Sequence, residues 1–255
     1  MGITIGKSPS YFWLNSWVLA NIIELATQTF CDRFVDFKLD PGRRLYDQMT
    51  QAVRSIRANI AEGSGRHDTS IETEMRLTDV ARGSAHELLG DYINFMMRMG
   101  IPAWQTADPR YQEVICFRLQ QATYGPDIIP DVMRHILTQK SRLDKYLDSP
   151  DPYLAANCLV VLCIKINSML TRMLETQLSE FRHKGGFTEN MTIERLEARR
   201  AESHLAGAPN CPRCGKPMLR RTIRKGARQG EEFWGCSDYP SCVATLPITT
   251  TSPQS

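Results

Sequence analysis

The chain has 255 residues, 42% hydrophobic and 23% charged, the composition of a soluble globular protein with one sizeable core and a small appendix, for which disorder is not the default. Its formal charge of +3 is unevenly placed: residues 207–247 hold seven Lys or Arg against three acids, net +4, and the remainder holds 24 basic against 25 acidic, net −1. A basic excess confined to one short module is the footprint of a polyanion partner.

Apolar residues recur at helical spacing from 10 to about 33 (Phe12, Trp13, Val18, Ile22, Leu25, Phe30), with Ser10 available as N-cap, and predict a first helix. No signal peptide fits this start, because Asn15, Asn21 and Glu24 interrupt it and only Lys7 precedes it. Pro41 in a first turn, then Leu45, Met49, Ala52, Val53, Ile56 and Ile60, make a second helix ending at Gly63. A third runs over 70–99, opened by Ser70 with Glu72 and Glu74 near its positive end and stopped by Gly100 and Pro102. Gly83-Ser84-Ala85 leaves a shallow spot on it, matched by Ala58 and Ala61 on the second helix. Ser84, His86 and Glu87 are no catalytic trio, since adjacent helical residues point about 100° apart and cannot converge on one atom.

Residues 103–149 have a weaker pattern and read as an insertion, with short helices over 110–122 and 129–147 joined through Gly125-Pro126. From Pro152 to about Lys184 a long, strongly apolar helix is expected as the central post of the bundle, stopped by Gly185-Gly186. Its longest apolar run, 153–164, contains Asn157 and is closed by Lys165, too short to span a bilayer. Cys31, Cys116, Cys158 and Cys163 lie inside apolar helical patterns and are expected to be buried, inert small hydrophobes in a reducing compartment, hence the cytoplasm. The run Tyr46-Asp-Gln-Met-Thr-Gln-Ala-Val-Arg-Ser-Ile-Arg-Ala-Asn-Ile-Ala-Glu-Gly63, followed by Val80-Ala-Arg-Gly-Ser-Ala-His-Glu-Leu-Leu89, resembles the bacterial four-helix bundle family that includes proteins encoded in intervening sequences of 23S ribosomal RNA genes and the accessory protein of diversity-generating retroelements. Phe181-Arg-His-Lys-Gly-Gly-Phe-Thr-Glu-Asn-Met191 is similar to the tail of its suffix-domain branch. The resemblance implies a non-enzymatic bundle, ring-forming in some members of the family, that binds nucleic acid or a nucleic-acid enzyme. A near-neutral bundle moves the weight of direct binding onto the basic module.

That module begins after a polar, helix-prone linker over 186–206, whose Arg195, Arg199 and Arg200 read as a solvated face or as an extension of the basic track. Cys211-Pro-Arg-Cys214 and Cys236-Ser-Asp-Tyr-Pro-Ser-Cys242 bring two sulfurs each onto a tight turn, and four thiolates around one Zn²⁺ form a closed, structural site. Between them, 218–224 alternates as a strand, 225–230 is a glycine-bounded turn and 231–235 returns as a second strand, the plan of a zinc ribbon. The runs CPRCGKPM and GEEFWGCSDYPSC resemble the C4 zinc ribbon at the C-terminal end of bacterial type IA DNA topoisomerases, which implies single-stranded DNA binding without strand cleavage. Arg213, Lys216, Arg220, Arg221, Arg224, Lys225 and Arg228 supply charge, with Arg220 and Arg224 expected on one face of the first strand and Arg221 on the other. Phe233, Trp234 and Tyr239 supply ring faces; Phe233 is expected in the small core, with Trp234 or Tyr239 toward ligand. The tail over 248–255 is small, polar and expected to be disordered.

The fold expected is therefore mainly α: an antiparallel four-helix bundle over 10–185 with a helical insertion, plus a small β zinc ribbon over 207–247. The function expected is that of a homo-oligomeric accessory protein that binds nucleic acid, single-stranded DNA before RNA, with one structural zinc, no small-molecule substrate and no membrane. The alternative is an oligomeric scaffold whose ribbon docks a polymerase or topoisomerase. A topoisomerase proper is not expected, because no Asp-x-Asp metal pair occurs in the chain.

Overall fold

Three packed rings, rather than a cap, open the first helix. Tyr11, Phe12 and Trp17 lie with ring centroids 4.7 to 5.3 Å apart and fold Ser10–Trp13 into a 3-10 turn. Helix α1 (Asn15–Phe34) then starts after Leu14 with no side-chain cap, so Ser10 does not cap it and the expected single helix is two pieces. Helix α2 (Arg44–Arg66) also starts later than expected. Pro41 lies in the preceding turn, and the Asp40 carboxylate holds the helix start by accepting from the N–H groups of Arg44 and Tyr46, both at 3.0 Å. Nor does Gly63 end α2, which continues three residues beyond it to Arg66. An added Cβ at Gly63 would sit 3.4 Å from Leu77 Cβ and 3.5 Å from the Glu74 carbonyl, in van der Waals contact with the next helix, so this position faces α3 rather than ending α2.

Helix α3 (Ile71–Met99) has the ends its sequence announces. Ser70 Oγ accepts from Thr73 N, and Gly100 at φ 65° turns the chain so that Ile101 N reaches back to Met96 O at 2.8 Å. Ser84 meets Ser55 across the α2–α3 contact, Oγ to Oγ 2.9 Å, with Ala81 and Ala85 fully buried beside it. Gly83 and Ala58, expected in that contact, instead face outward, one residue off the packed stripe. Helix α7 (Pro152–Lys184) packs on α1 and α3, and α2 lies between α1 and α3, giving the four-helix bundle. Residue pairs fix the antiparallel sense of neighbours: Cys31 beside Met49 and Glu24 beside Arg57 for α1 and α2, Ser55 beside Ser84 and Gly63 beside Glu74 for α2 and α3. Phe30 meets Tyr92 and Phe95 edge-on at 5.1 and 4.9 Å, and the buried Tyr92 hydroxyl donates to Thr27 Oγ1.

The insertion carries α4 (Pro109–Cys116), α5 (Ile128–Ser141) and α6 (Asp144–Leu147). The helix expected over 110–122 stops at Cys116 because side chains take over its backbone groups: Lys165 Nζ donates to Ile115 O at 2.7 Å and Gln139 Oε1 accepts from Gln120 N at 3.0 Å, while Phe117 turns inward. The helix expected over 129–147 breaks into α5 and α6 where Leu143 enters the core. Asn157 of α7 pins the entry to the insertion, accepting from Trp104 N and donating to Pro102 O. Burial pushes the thiol of Cys31 up to about 12 and those of Cys158 and Cys163 higher still, so all three are inert; Cys116, at the end of α4, is exposed, contrary to expectation. In its most apolar 18-residue window α7 has a mean hydropathy of 1.7, enough with its length to cross a bilayer, although 61% of that window is buried inside the protein as its core helix. The expectation that this segment is too short counted only one uninterrupted run within the helix.

The computed structural model describes residues 10–66, 70–184, 192, 195, 198 and 208–248. The chain divides into two units, Met1–Gly186 and Phe187–Ser255. Thr192, Arg195 and Ala198 are helical and exposed; the readings of the rest of the linker and of the tail beyond Ile248 lie outside the described residues. The second unit holds an antiparallel sheet in the order β1 (Met218–Thr222), β2 (Glu232–Cys236), β3 (Thr245–Pro247). The third strand was not expected.

Candidate metal centre and nucleic-acid face

Each cysteine pair is built on a backbone turn that points N–H groups at sulfur. In the first, Gly215 N bonds Cys211 O at 2.9 Å and Arg213 N lies 3.4 Å from Cys211 Sγ. In the second, Asp238 N lies 3.4 Å from Cys236 Sγ, and Cys242 N bonds Asp238 O at 3.0 Å, so the five intervening residues coil back and return Cys242 to the site. All four sulfurs lie within 4.8 Å of one another, with Cys211 to Cys242 at 3.8 Å and Cys214 to Cys236 at 3.4 Å. A disulfide needs about 2.05 Å. A tetrahedron with Zn–S of about 2.3 Å places its sulfurs about 3.8 Å apart.

Two thiols of this cluster are pulled in opposite directions. Burial opposes charge at Cys211, but the backbone N–H groups of Arg213 and Cys214 and the neighbouring sulfurs bring its pKa down to about 7. At Cys236 the N–H of Asp238 favours the thiolate, yet burial and the sulfurs of Cys214, Cys242 and Cys211 outweigh it and push the thiol up to about 12. A thiolate at Cys211 is favoured and one at Cys236 is opposed by the crowded sulfurs, which is the electrostatics of a site completed by a dication. The donor set therefore fits one structural zinc, held by Cys211, Cys214, Cys236 and Cys242, with no ligand position for a substrate.

The sheet register sorts the remaining side chains onto two faces. Met218 pairs with Cys236 and Arg220 with Trp234, so these share the metal face, where Trp234 and Leu246 pack against Cys211, Met218, Cys236 and Cys242. Leu219 pairs with Gly235 and Arg221 with Phe233 on the other face. There Arg221 extends over the ring of Tyr239, guanidinium carbon 5.5 Å from its centroid, and Tyr239 is 61% exposed. The sequence assigned the core role to the wrong ring: Trp234, not Phe233, belongs to the metal core. Period-two alternation held the answer, because 234 and 236 must share a face. Arg224 lies past the end of β1 and so is not on a strand face with Arg220.

Ion pairing divides the cations. Lys216 pairs with Asp238 at 2.6 Å, Arg228 with Glu231 at 2.6 Å, and Arg220 with Glu232. Every acid of 207–247 is thus engaged, and Arg213, Arg221, Arg224 and Lys225, all exposed, have no ion pair among the described residues. Those four are the net +4 of the module.

Residues 208–251 match the family model for the topoisomerase DNA-binding C4 zinc finger. This module of the chain is a topoisomerase-type zinc ribbon, and that type points to nucleic acid as its partner. No curated protein and no solved structure matches the chain.

Proposed function

We propose that the protein is a non-enzymatic, cytoplasmic nucleic-acid-binding accessory protein whose zinc ribbon grips single-stranded DNA and whose helical bundle joins copies into a homo-oligomer, so that several weak hands act together. The observation that carries this reading is the coincidence on one small module of four cations without an ion pair among the described residues and two aromatic rings beside Arg221, the half-buried Phe233 and the exposed Tyr239, on the sheet face away from the metal. Unpaired bases offer two ring faces each, and such strands are held by phosphate neutralisation plus stacking, about 1 to 3 kcal/mol per stacked base with little sequence preference. A duplex hides those ring faces. The oligomer is supported by an outward stripe on α5, where Ile129, Met133 and Leu137 are each more than half exposed at i, i+4, i+8 spacing.

The test is fluorescence anisotropy of a labelled single strand, titrated at several salt concentrations. Arg224→Gln with Lys225→Gln should weaken binding to all sequences alike and flatten the log-log salt slope by about 1.4, roughly 0.7 for each lost phosphate contact. Tyr239→Ala should cost about 1 to 3 kcal/mol with the slope nearly unchanged. Equal affinity for single and double strands would sink the single-strand preference, and no binding at all would sink the reading.

A further inference from the structure

Arg221 differs from the other unpaired cations of the ribbon in that its side chain lies along the sheet. It crosses the strand neighbour at Gly235: an ideal Cβ built there would fall 3.0 Å from Arg221 Cδ and 3.1 Å from Nε, tight enough that the arginine would have to give way. Phe233 closes one flank, its Cε2 3.5 Å from the same point, and the Tyr239 ring lies under the guanidinium at the other end. Gly235 sits in β2 with no positive φ, so its backbone makes no demand for glycine. The bare Cα makes room for what lies on it. Glycine within a strand often marks such a close approach, and aromatic cover over a strand glycine is by itself a structural device. Phe233 alone would satisfy that device, whereas the nearer contact is with the arginine.

We infer that Gly235 is a positioning residue that lays Arg221 flat against the sheet, so that its guanidinium acts with Phe233 and Tyr239 as a third stacking plane for an unpaired base, leaving phosphates to Arg213, Arg224 and Lys225. A guanidinium is planar and weakly hydrated and stacks on rings, which a lysine ammonium cannot do. Arg221 is therefore not interchangeable with lysine, although a phosphate contact would tolerate that exchange. The inference rests on the single-strand reading given above.

The experiment uses the full chain, zinc-loaded, with oligo-dT as the probe. Gly235→Ala displaces only the far part of a flexible side chain, so one zinc per chain should remain. Its affinity should fall about tenfold, the loss of one stacked plane, with the salt slope unchanged because the charge stays. Arg221→Lys should show the same loss. In the double variant the losses should coincide rather than multiply, since the glycine acts only through the arginine. In the free protein, contacts between Arg221 δ protons and the Tyr239 ring, seen as nuclear Overhauser effects, should vanish in Gly235→Ala. If those contacts persist, if losses multiply, or if Arg221→Lys binds like the parent, the inference is wrong while single-strand binding stands. A parent protein that ignores oligo-dT would remove both.

Discussion

Cys236 stands where the end of β2 meets the second turn, so its loss should release the metal and the sheet together. Cys236→Ala is expected to fall from one zinc per chain to none by elemental analysis, because three thiolates leave the closed site open and the small cluster around it has no other core. At this scale the sequence was most legible where chemistry is carried by residue type. The four cysteines could be picked from their pairing together with the strand–turn–strand run between them, since the five residues between Cys236 and Cys242 depart from the two-residue spacing of the first pair. Charge partners could not, because which of seven cations keeps a free guanidinium or ammonium depends on cross-strand and turn neighbours: Glu232 is taken by Arg220, twelve positions away. Arg220→Gln should accordingly change binding less than Arg224→Gln, measured in the same anisotropy assay.

Helix ends show the same division between local and distant causes. Ser70 and Gly100 act on their own helix and were legible; the end of α4 is set by Lys165, fifty residues away, and was not. Gly63 reads as a stop in sequence and faces α3 in the fold. Gly63→Ala fits the 3.4 Å gap and should stabilise the bundle by up to about 1 kcal/mol through helix propensity, whereas Gly63→Leu should destabilise it by about 1 to 3 kcal/mol by forcing α2 from α3, both read from urea melts. The insertion has a pH signature. Glu113 of α4 accepts from Lys145 and from the Tyr146 hydroxyl, the lysine being the stronger influence, and its carboxyl is held below the ordinary glutamate range. A lowered folded pKa adds stability above the unfolded value that disappears as pH falls through the folded one. The site is half exposed and screened by solvent, so Glu113→Gln should cost only about 0.5 to 1 kcal/mol at pH 7, a difference that vanishes in acid melts.

On the scale of the whole chain, helices with complete apolar stripes and a sheet hung on one metal should come apart separately. Chelation is expected to abolish oligonucleotide binding while leaving helical circular dichroism nearly intact. Met133→Glu, on the outward stripe of α5, should shift sedimentation toward the monomer with helicity unchanged, because a charge at the centre of that stripe cannot be buried between copies. The placement of the eight cysteines has a further use. A thiol reagent meets Cys116 at once, meets the four sulfurs of the ribbon only as metal is surrendered, and meets Cys31, Cys158 and Cys163 only when the bundle itself opens. Progressive alkylation followed by mass measurement would thus show one, then five, then eight adducts, and the chain would act as its own clock, timing surface access, metal loss and global opening in a single tube.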